Sequence, residues 1–254
     1  MSPAAKPWYA EAFGRDYLCR YQHRDQEEAC LAAELVRTRL ALTNSTRLFD
    51  LCCGAGRHLD CFRKAGLDAV GGDLSAALLA EARLHDLPVV RLDMRAIPLG
   101  TCSVDVVTNF FTAFGYFETD AENFAVLDEV RRVLRSGGWF VIDFLNAHTA
   151  RESLFEQQDP ETTVDRRGAT WRVTRALSVD GLRAEKIQER VAGGKTESRI
   201  HESVRLFTRE DLEAALAARG FQTRFVWGDY VGAEFTPARS PRLIIAAQLQ
   251  GATP

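Results

Sequence analysis

The sequence predicts an α/β fold of the doubly wound kind: a mostly parallel sheet with helices on both faces, carrying an inserted antiparallel meander. Three observations predict it. Between Arg47 and Asn146, short apolar runs alternate with amphipathic stretches, the rhythm of strand, helix and parallel strand. The run Leu48-Phe49-Asp50-Leu51 enters a small-residue turn, Cys52-Cys53-Gly54-Ala55-Gly56, which opens a helix. From Thr162 to Phe207 apolar and polar residues alternate instead, as in Thr170-Trp171-Arg172-Val173-Thr174-Arg175-Ala176-Leu177, with turn signals at Asp180-Gly181 and Gly193-Gly194.

Taken in order, the elements begin with a helical segment from Trp8 to about Leu42, where Leu31, Leu35, Leu40 and Leu42 recur near helical spacing among Glu and Arg. Trp8, Tyr9, Phe13, Tyr17 and Tyr21 crowd its start, either as a cover over a site or as packing onto the core. The first strand follows, and the second, Val70-Gly71-Gly72-Asp73, ends in a carboxylate. Leu92-Asp93-Met94 closes the third and Val104 to Phe110 forms the fourth. Thr119-Asp120-Ala121-Glu122 is a capping box for a helix through Val126, Leu127, Val130 and Leu134, which Gly137-Gly138 is expected to stop before the fifth strand. The meander comes next. Thr208-Arg209-Glu210-Asp211 then caps a helix ending at Gly220, and strands at about Phe221 to Val231 and Leu243 to Leu249 complete the chain. One structural domain is expected, with a helical leader (1–45), a ligand-binding core (46–146), an insertion that could roof a substrate pocket (147–207) and closing elements (208–254).

Composition bounds the function. The 254 residues carry 32 basic and 35 acidic side chains, mixed along the chain for a formal net charge of −3, so no field favours a polyanion and nucleic acid is not an expected partner. No apolar run is long enough for a bilayer, and Met1 to Ala10 lacks the apolar core of a secretory signal. A cytoplasmic protein without a membrane partner is expected. Six cysteines show no Cys-x-x-Cys and no pairing with histidine, which predicts free, mostly buried thiols, no disulfide framework and no metal site.

The glycine turn carries the chemistry. Gly54 and Gly56 allow backbone angles and close approach that a Cβ blocks, so a bulky residue at 56 is expected to fill the socket. Asp73 stands where an acid accepts hydrogen bonds from the two hydroxyls of a ribose. The third glycine of the dinucleotide fingerprint is absent, with Leu59 in its place, and Asp50 ends the first strand. A pyrophosphate gains nothing from that acid, whereas a ligand with an ammonium and a sulfonium does.

On these residues the chain resembles a class I S-adenosylmethionine-dependent methyltransferase, from about Trp8 to about Leu249. Asp50-x-Cys52-x-Gly54-x-Gly56 resembles the first motif of that family and Asp73 its ribose-binding acid. Leu92-Asp93-Met94 resembles its adenine-reading strand end, Val104 to Phe110 the strand facing the methionine part and methyl group, and Arg135 to Ile142 the leader into strand five. The stretch Phe111 to Phe117 is similar to bacterial small-molecule members. The resemblance implies a Rossmann-like seven-stranded sheet with an antiparallel hairpin at one edge, an aromatic leader acting as lid, and S-adenosylmethionine as cofactor. It implies cofactor contacts from Asp50, Cys52, Gly54, Gly56, Asp73, Leu74, Asp93, Met94, Asn109 and Phe110.

Methyl transfer from a sulfonium is an in-line displacement that needs alignment above all. An N or O atom of a small molecule is the expected acceptor, and a hydroxyl would also need a base, for which histidine is the usual residue. His148, after strand five, and His201, in the meander, are the candidates; His58 reads as packing or cofactor-proximal, and His23 and His85 have no supporting context. Phe114, Tyr116, Arg205 and Tyr230 are candidate substrate contacts, with packing as the alternative. Arg24, Arg57 and Arg205 could hold a carboxylate. A non-catalytic cofactor-binding module and a nicotinamide-dependent oxidoreductase are the alternative functions, and a monomer or homodimer is the expected assembly.

Overall fold

The computed structural model describes residues 7–20, 25–156, 159–165 and 167–251. Tyr21, His23 and Arg24 lie outside them. A seven-stranded sheet is built from β1 (Arg47–Leu51), β2 (Asp68–Asp73), β3 (Val89–Arg91), β4 (Val104–Asn109), β5 (Leu134–Leu145), β10 (Phe221–Trp227) and β11 (Arg242–Leu249), in the order β10-β11-β5-β4-β1-β2-β3. β11 runs antiparallel to both its neighbours and the remaining pairings are parallel. A parallel sheet buried on both faces requires apolar side chains on both. In β1, Phe49 and Leu51 join one core with Val107, Phe140, Leu127 and Leu216. Leu48 joins the other, with Val106, Val141, Ile244, Phe62 and Val36.

The helices are α1 (Trp8–Ala12), α2 (Arg15–Arg20), α3 (Gln26–Arg39), α4 (Arg57–Lys64), α5 (Ala76–Leu84), α6 (Asp120–Val133), α7 (Ala147–Glu156) and α8 (Arg209–Ala217). Asp25 caps α3 by accepting from the Glu27 amide at 2.8 Å, and both capping boxes, at Thr119 and Thr208, are formed. Among the described residues no helix is long and apolar enough to cross a membrane.

Three expectations are corrected. The buried face of α3 runs through Ala29, Ala32, Ala33, Leu35 and Val36, whereas Leu31 is half exposed; alanine-sized neighbours let the helix sit close to α4, and leucine spacing alone pointed partly to the wrong face. Gly137-Gly138 does not stop α6, which ends at Val133 and passes directly into β5. The pair sits where β5 breaks register with β4, between the Leu134 and Trp139 pairings: Gly137 has φ +77°, and a Cβ on Gly138 would lie 2.8 and 2.9 Å from the carbonyl oxygens of Arg135 and Asp105. Lastly, Cys30 and Cys61 are disulfide-bonded, joining α3 to α4 across 31 residues, while Cys19, Cys52, Cys53 and Cys102 are free. The bonded thiols lie on helices brought together only by packing, so their spacing carried no signal.

The meander forms a separate antiparallel sheet, β6 (Glu161–Val164), β7 (Thr170–Leu177), β8 (Arg183–Ala192) and β9 (Lys195–Arg205), in sequential order. The Arg205 amide donates to Gly115 O at 2.8 Å and Arg183 Nη1 to Phe117 O at 3.1 Å. Against the same sheet lies α2, whose Arg20 reaches Gln188 and stacks over Trp171 at 4.6 Å.

Candidate active site

A cavity of about 250 Å³ opens at the carboxyl ends of β1, β2 and β4. Cys52, Gly54 and Ala55 from the turn form one wall, Asp73, Leu74 and Leu78 a second, and Met94, Phe110 and Phe111 a third. Tyr9, Phe13, Tyr17 and Leu18 from the leader cover it together with Tyr116 and Phe117. These rings brace one another: Phe13 stacks on Tyr116 at 5.7 Å and meets Tyr17 edge-on at 5.0 Å, and Tyr9 meets Phe117 edge-on at 5.4 Å. No residue of 147–207 borders the cavity among the described lining. The antiparallel sheet instead contacts the leader, β9 against α1 and β8 through Gln188 against Arg20.

The turn owes its shape to left-handed backbone at Cys52 (φ 63°), Gly54 (φ 55°) and Gly56 (φ 86°). A Cβ on Gly54 would meet only Leu78 Cδ1 at 3.7 Å, so it would occupy space the cavity keeps open. Gly56 is different. It caps α4 without bordering the cavity, and a Cβ there would lie 2.3 Å from Leu87 Cδ1. The expected steric block at 56 is therefore a clash inside the core.

Asp73 ties the turn to α5, accepting from the Gly54 amide at 2.9 Å and the Ser75 amide at 2.8 Å. Burial raises its pKa against the pull of those two amides. With lone pairs left over and a place on the cavity wall, it fits the two hydroxyls of a ribose. Asp50 is fully buried; Oδ1 accepts from Thr108 Oγ1 at 2.8 Å and Oδ2 has no hydrogen-bond partner. Burial pushes its pKa up to about 7, against the Thr108 bond, with the Asp73 charge adding and Arg57 opposing. Asn109 donates to Leu51 O at 3.0 Å and also leaves a buried acceptor, Oδ1, without a partner. Neither Asp50 nor Asn109 borders the cavity, against the expectation of direct contact; their two orphaned acceptors at neighbouring strand ends suit a cation such as an ammonium group nearby.

The other positions singled out by sequence fall into two groups. Cys52, Leu74, Met94, Phe110 and Tyr116 border the cavity. Asp93 does so too, but Arg95 engages both its oxygens, at 2.8 and 2.9–3.1 Å. Burial pushes the Asp93 carboxyl up and these bonds outweigh it, leaving it below its ordinary value. The candidate bases stand elsewhere. His148 lies on α7, facing Glu152 at 3.5 Å in a separate hollow with Arg151 and Thr208. His201 is exposed on β9 and pairs with Glu185. Phe114 is core, packed on Phe207 and Phe144. Arg205 pairs with Asp120 at 3.1 Å and covers Phe207. Tyr230 is buried, its hydroxyl donating to Asp143 at 2.6 Å. None of these five borders the cavity.

Two neighbours that sequence reading left secondary do border it. His58 stacks on Phe110 at 4.6 Å, and burial, aided by Arg57 and Arg242, pushes its pKa down to about 3. Arg57 donates to Asp25 O at 3.1 Å and faces the Phe111 ring. Their adjacency to the glycine turn was the available signal. Asp143 and Arg242 were missed, since nothing in sequence joins residues 99 positions apart.

Comparison with known proteins agrees with this geometry. Residues 49–142 match the family model described as a methyltransferase domain. The chain is 31% identical to the dTDP-3-amino-3,6-dideoxy-alpha-D-glucopyranose N,N-dimethyltransferase of Streptomyces fradiae, over 85% of this chain and 81% of that protein. It is 30% identical to the malonyl-[acyl-carrier protein] O-methyltransferase of Enterobacter lignolyticus, over 73% and 72%. Among solved structures, an S-adenosylmethionine-bound amino pentose methyltransferase of Micromonospora echinaspora superposes with a TM-score of 0.62 at 25% identity, covering 90% of this chain and 93% of that one.

Proposed function

Because the chain belongs to the class I S-adenosylmethionine-dependent methyltransferases, we propose that it methylates a small molecule by in-line displacement, at a nitrogen in preference to an oxygen. It is an enzyme and its cofactor is S-adenosylmethionine. When bound, that cofactor supplies a methyl group on a sulfonium, which departs as a neutral thioether. The protein's own part is to bind, align and exclude water. Asp73 would hold the ribose and Leu74 and Met94 would pack the purine, while Asp50 and Asn109, buried off the described wall, would favour the ammonium through water or at a distance. The aromatic cover from α1, α2 and Tyr116 would close the cavity over the acceptor.

The observation that carries the nitrogen reading is the placement of the histidines: the one on the described cavity wall, His58, is buried with its ring stacked on Phe110. His58, with a pKa of about 3, is too weak a base for a hydroxyl acceptor, and His148 and His201 lie away from the cavity. An unprotonated amine needs no base; alignment in a closed site supplies roughly 7–11 kcal/mol of the barrier. The amino-sugar relatives support the same reading. The O-methyltransferase relative, with Asp50 poised at about 7, favours oxygen as the second reading, although Asp50 is buried away from the described wall. We place the reaction in the cytoplasm, where the Cys30–Cys61 pair would stand reduced, with the protein as monomer or homodimer.

The test is label transfer from methyl-labelled S-adenosylmethionine to a panel of nucleotide-linked amino sugars, their hydroxyl counterparts and acyl carboxylates. Label on the amines alone is the expected result. Transfer confined to hydroxyls or carboxylates would overturn the nitrogen assignment.

A further inference from the structure

The wall that follows β4 is held in a strained backbone by groups that do not border the cavity. Phe111 and Thr112 are consecutive non-glycine residues at φ 62° and 60°, a left-handed pair that persists only where its surroundings over-determine it. Those surroundings converge on Asp143, fully buried near the carboxyl end of β5. The Phe111 amide donates to Asp143 Oδ2 at 2.8 Å and the Thr112 amide to its backbone oxygen at 3.0 Å. Arg242, opening β11, donates through Nε to Asp143 Oδ1 at 2.6 Å and through Nη2 to Thr112 Oγ1 at 3.1 Å. Tyr230 completes the set with its 2.6 Å hydroxyl bond to Oδ2.

The ring of Phe111 lies on the cavity wall, faced by the guanidinium of Arg242 and by that of Arg57, each 5.3 Å from its centroid. Its backbone is fixed by Asp143 and its ring by two cations. A buried network of this kind is rigid when complete and unfavourable when one donor or acceptor is removed.

We propose that Asp143, Arg242 and Tyr230 are positioning residues that act through Phe111, setting its ring as the wall against which the acceptor and the transferable methyl group are aligned. The assignment rests on the cavity being the methyl-transfer site. It gives Tyr230 a part in the reaction without contact with substrate, and it makes the closing hairpin of the sheet a support of the site.

The experiment reads the methyl group itself and needs no acceptor. S-adenosylmethionine carrying a carbon-13 methyl is bound to the protein, and the methyl resonance is recorded for wild type, Phe111→Leu, Tyr230→Phe and Asp143→Asn. Loss of the ring in Phe111→Leu should displace the bound resonance. Tyr230→Phe keeps the aromatic packing and deletes one hydroxyl, so it carries the test should Asp143→Asn fail to fold. The expected result is a displaced or broadened resonance in Tyr230→Phe, with affinity kept within about threefold. A purely structural role would lower the unfolding midpoint and leave the resonance at its wild-type position, and that outcome would overturn the proposal. Absence of any bound signal in wild type would instead remove the cofactor site on which it rests.

Discussion

At the scale of residues, two buried titratable groups at the site oppose each other. Asp50 holds its proton more tightly in the folded chain, about 7 against an ordinary 3.8, so its contribution to stability is present below pH 3.8 and is lost as pH rises through 7. His58, at about 3 against 6.5, must charge on acidification, so its contribution is present above 6.5 and is lost as pH falls through 3. The two slopes offset one another between those limits. Asp50→Asn removes one of them, so the stability of the variant relative to wild type should climb from pH 4 to pH 7 in urea unfolding; a difference independent of pH would show that Asp50 ionises normally. Cofactor affinity should likewise rise through pH 7 in wild type, as the buried Asp50 charge comes to favour the ammonium from off the described wall, and calorimetry across that range checks it. Asp73→Ala should weaken S-adenosylhomocysteine binding by about 1–3 kcal/mol, since ribose hydroxyls lose a charged acceptor; unchanged affinity would remove Asp73 from the site. These acids were legible in the sequence because each ends a strand beside the glycine turn. The roles of His58, Asp143 and Arg242 were not, because burial and partners decide them.

At the scale of elements, the helical leader does two jobs that its sequence did not separate. α1 and α2 bring Tyr9, Phe13 and Tyr17 over the cavity, while α3 fastens the leader to the core. Gln26 contributes by donating to Arg57 O at 3.1 Å, and the Cys30–Cys61 bond ties α3 to α4. Closing a loop of that length restricts the unfolded chain, by about 3–4 kcal/mol in the chain-entropy account. Cys30→Ser should therefore lower the denaturant midpoint under oxidising conditions and have no such effect under reducing ones; equal midpoints for oxidised and reduced wild type would argue that the thiols do not pair in solution. The capping boxes of α6 and α8 were readable because both partners lie within one turn. The end of α6 was not, since Gly138, which reads locally as punctuation, serves a close approach to Asp105 from the neighbouring strand.

At the scale of the molecule, the cavity is walled by segments far apart in the chain, from Tyr9 to Phe117, so binding and folding are coupled. A ligand at about a hundred times its dissociation constant stabilises the native state by about 2.7 kcal/mol, which for a chain of this size raises the thermal midpoint by several degrees. S-adenosylmethionine and S-adenosylhomocysteine should do so, and a nicotinamide dinucleotide should not; the reverse order in a thermal shift measurement would contradict the cofactor. The alternation of strand and helix, the glycine turn and the acids at strand ends were written locally, with periods and spacings of a few residues, and the sequence alone determined the parallel core and the class of cofactor from them. Which aromatic rings face the cavity, which histidines stand apart from it, which cysteines pair and which buried carboxylate holds Phe111 were decided only in the tertiary structure. Each of these depends on contacts between segments tens of residues apart, where packing and desolvation, and no local pattern, choose the partner.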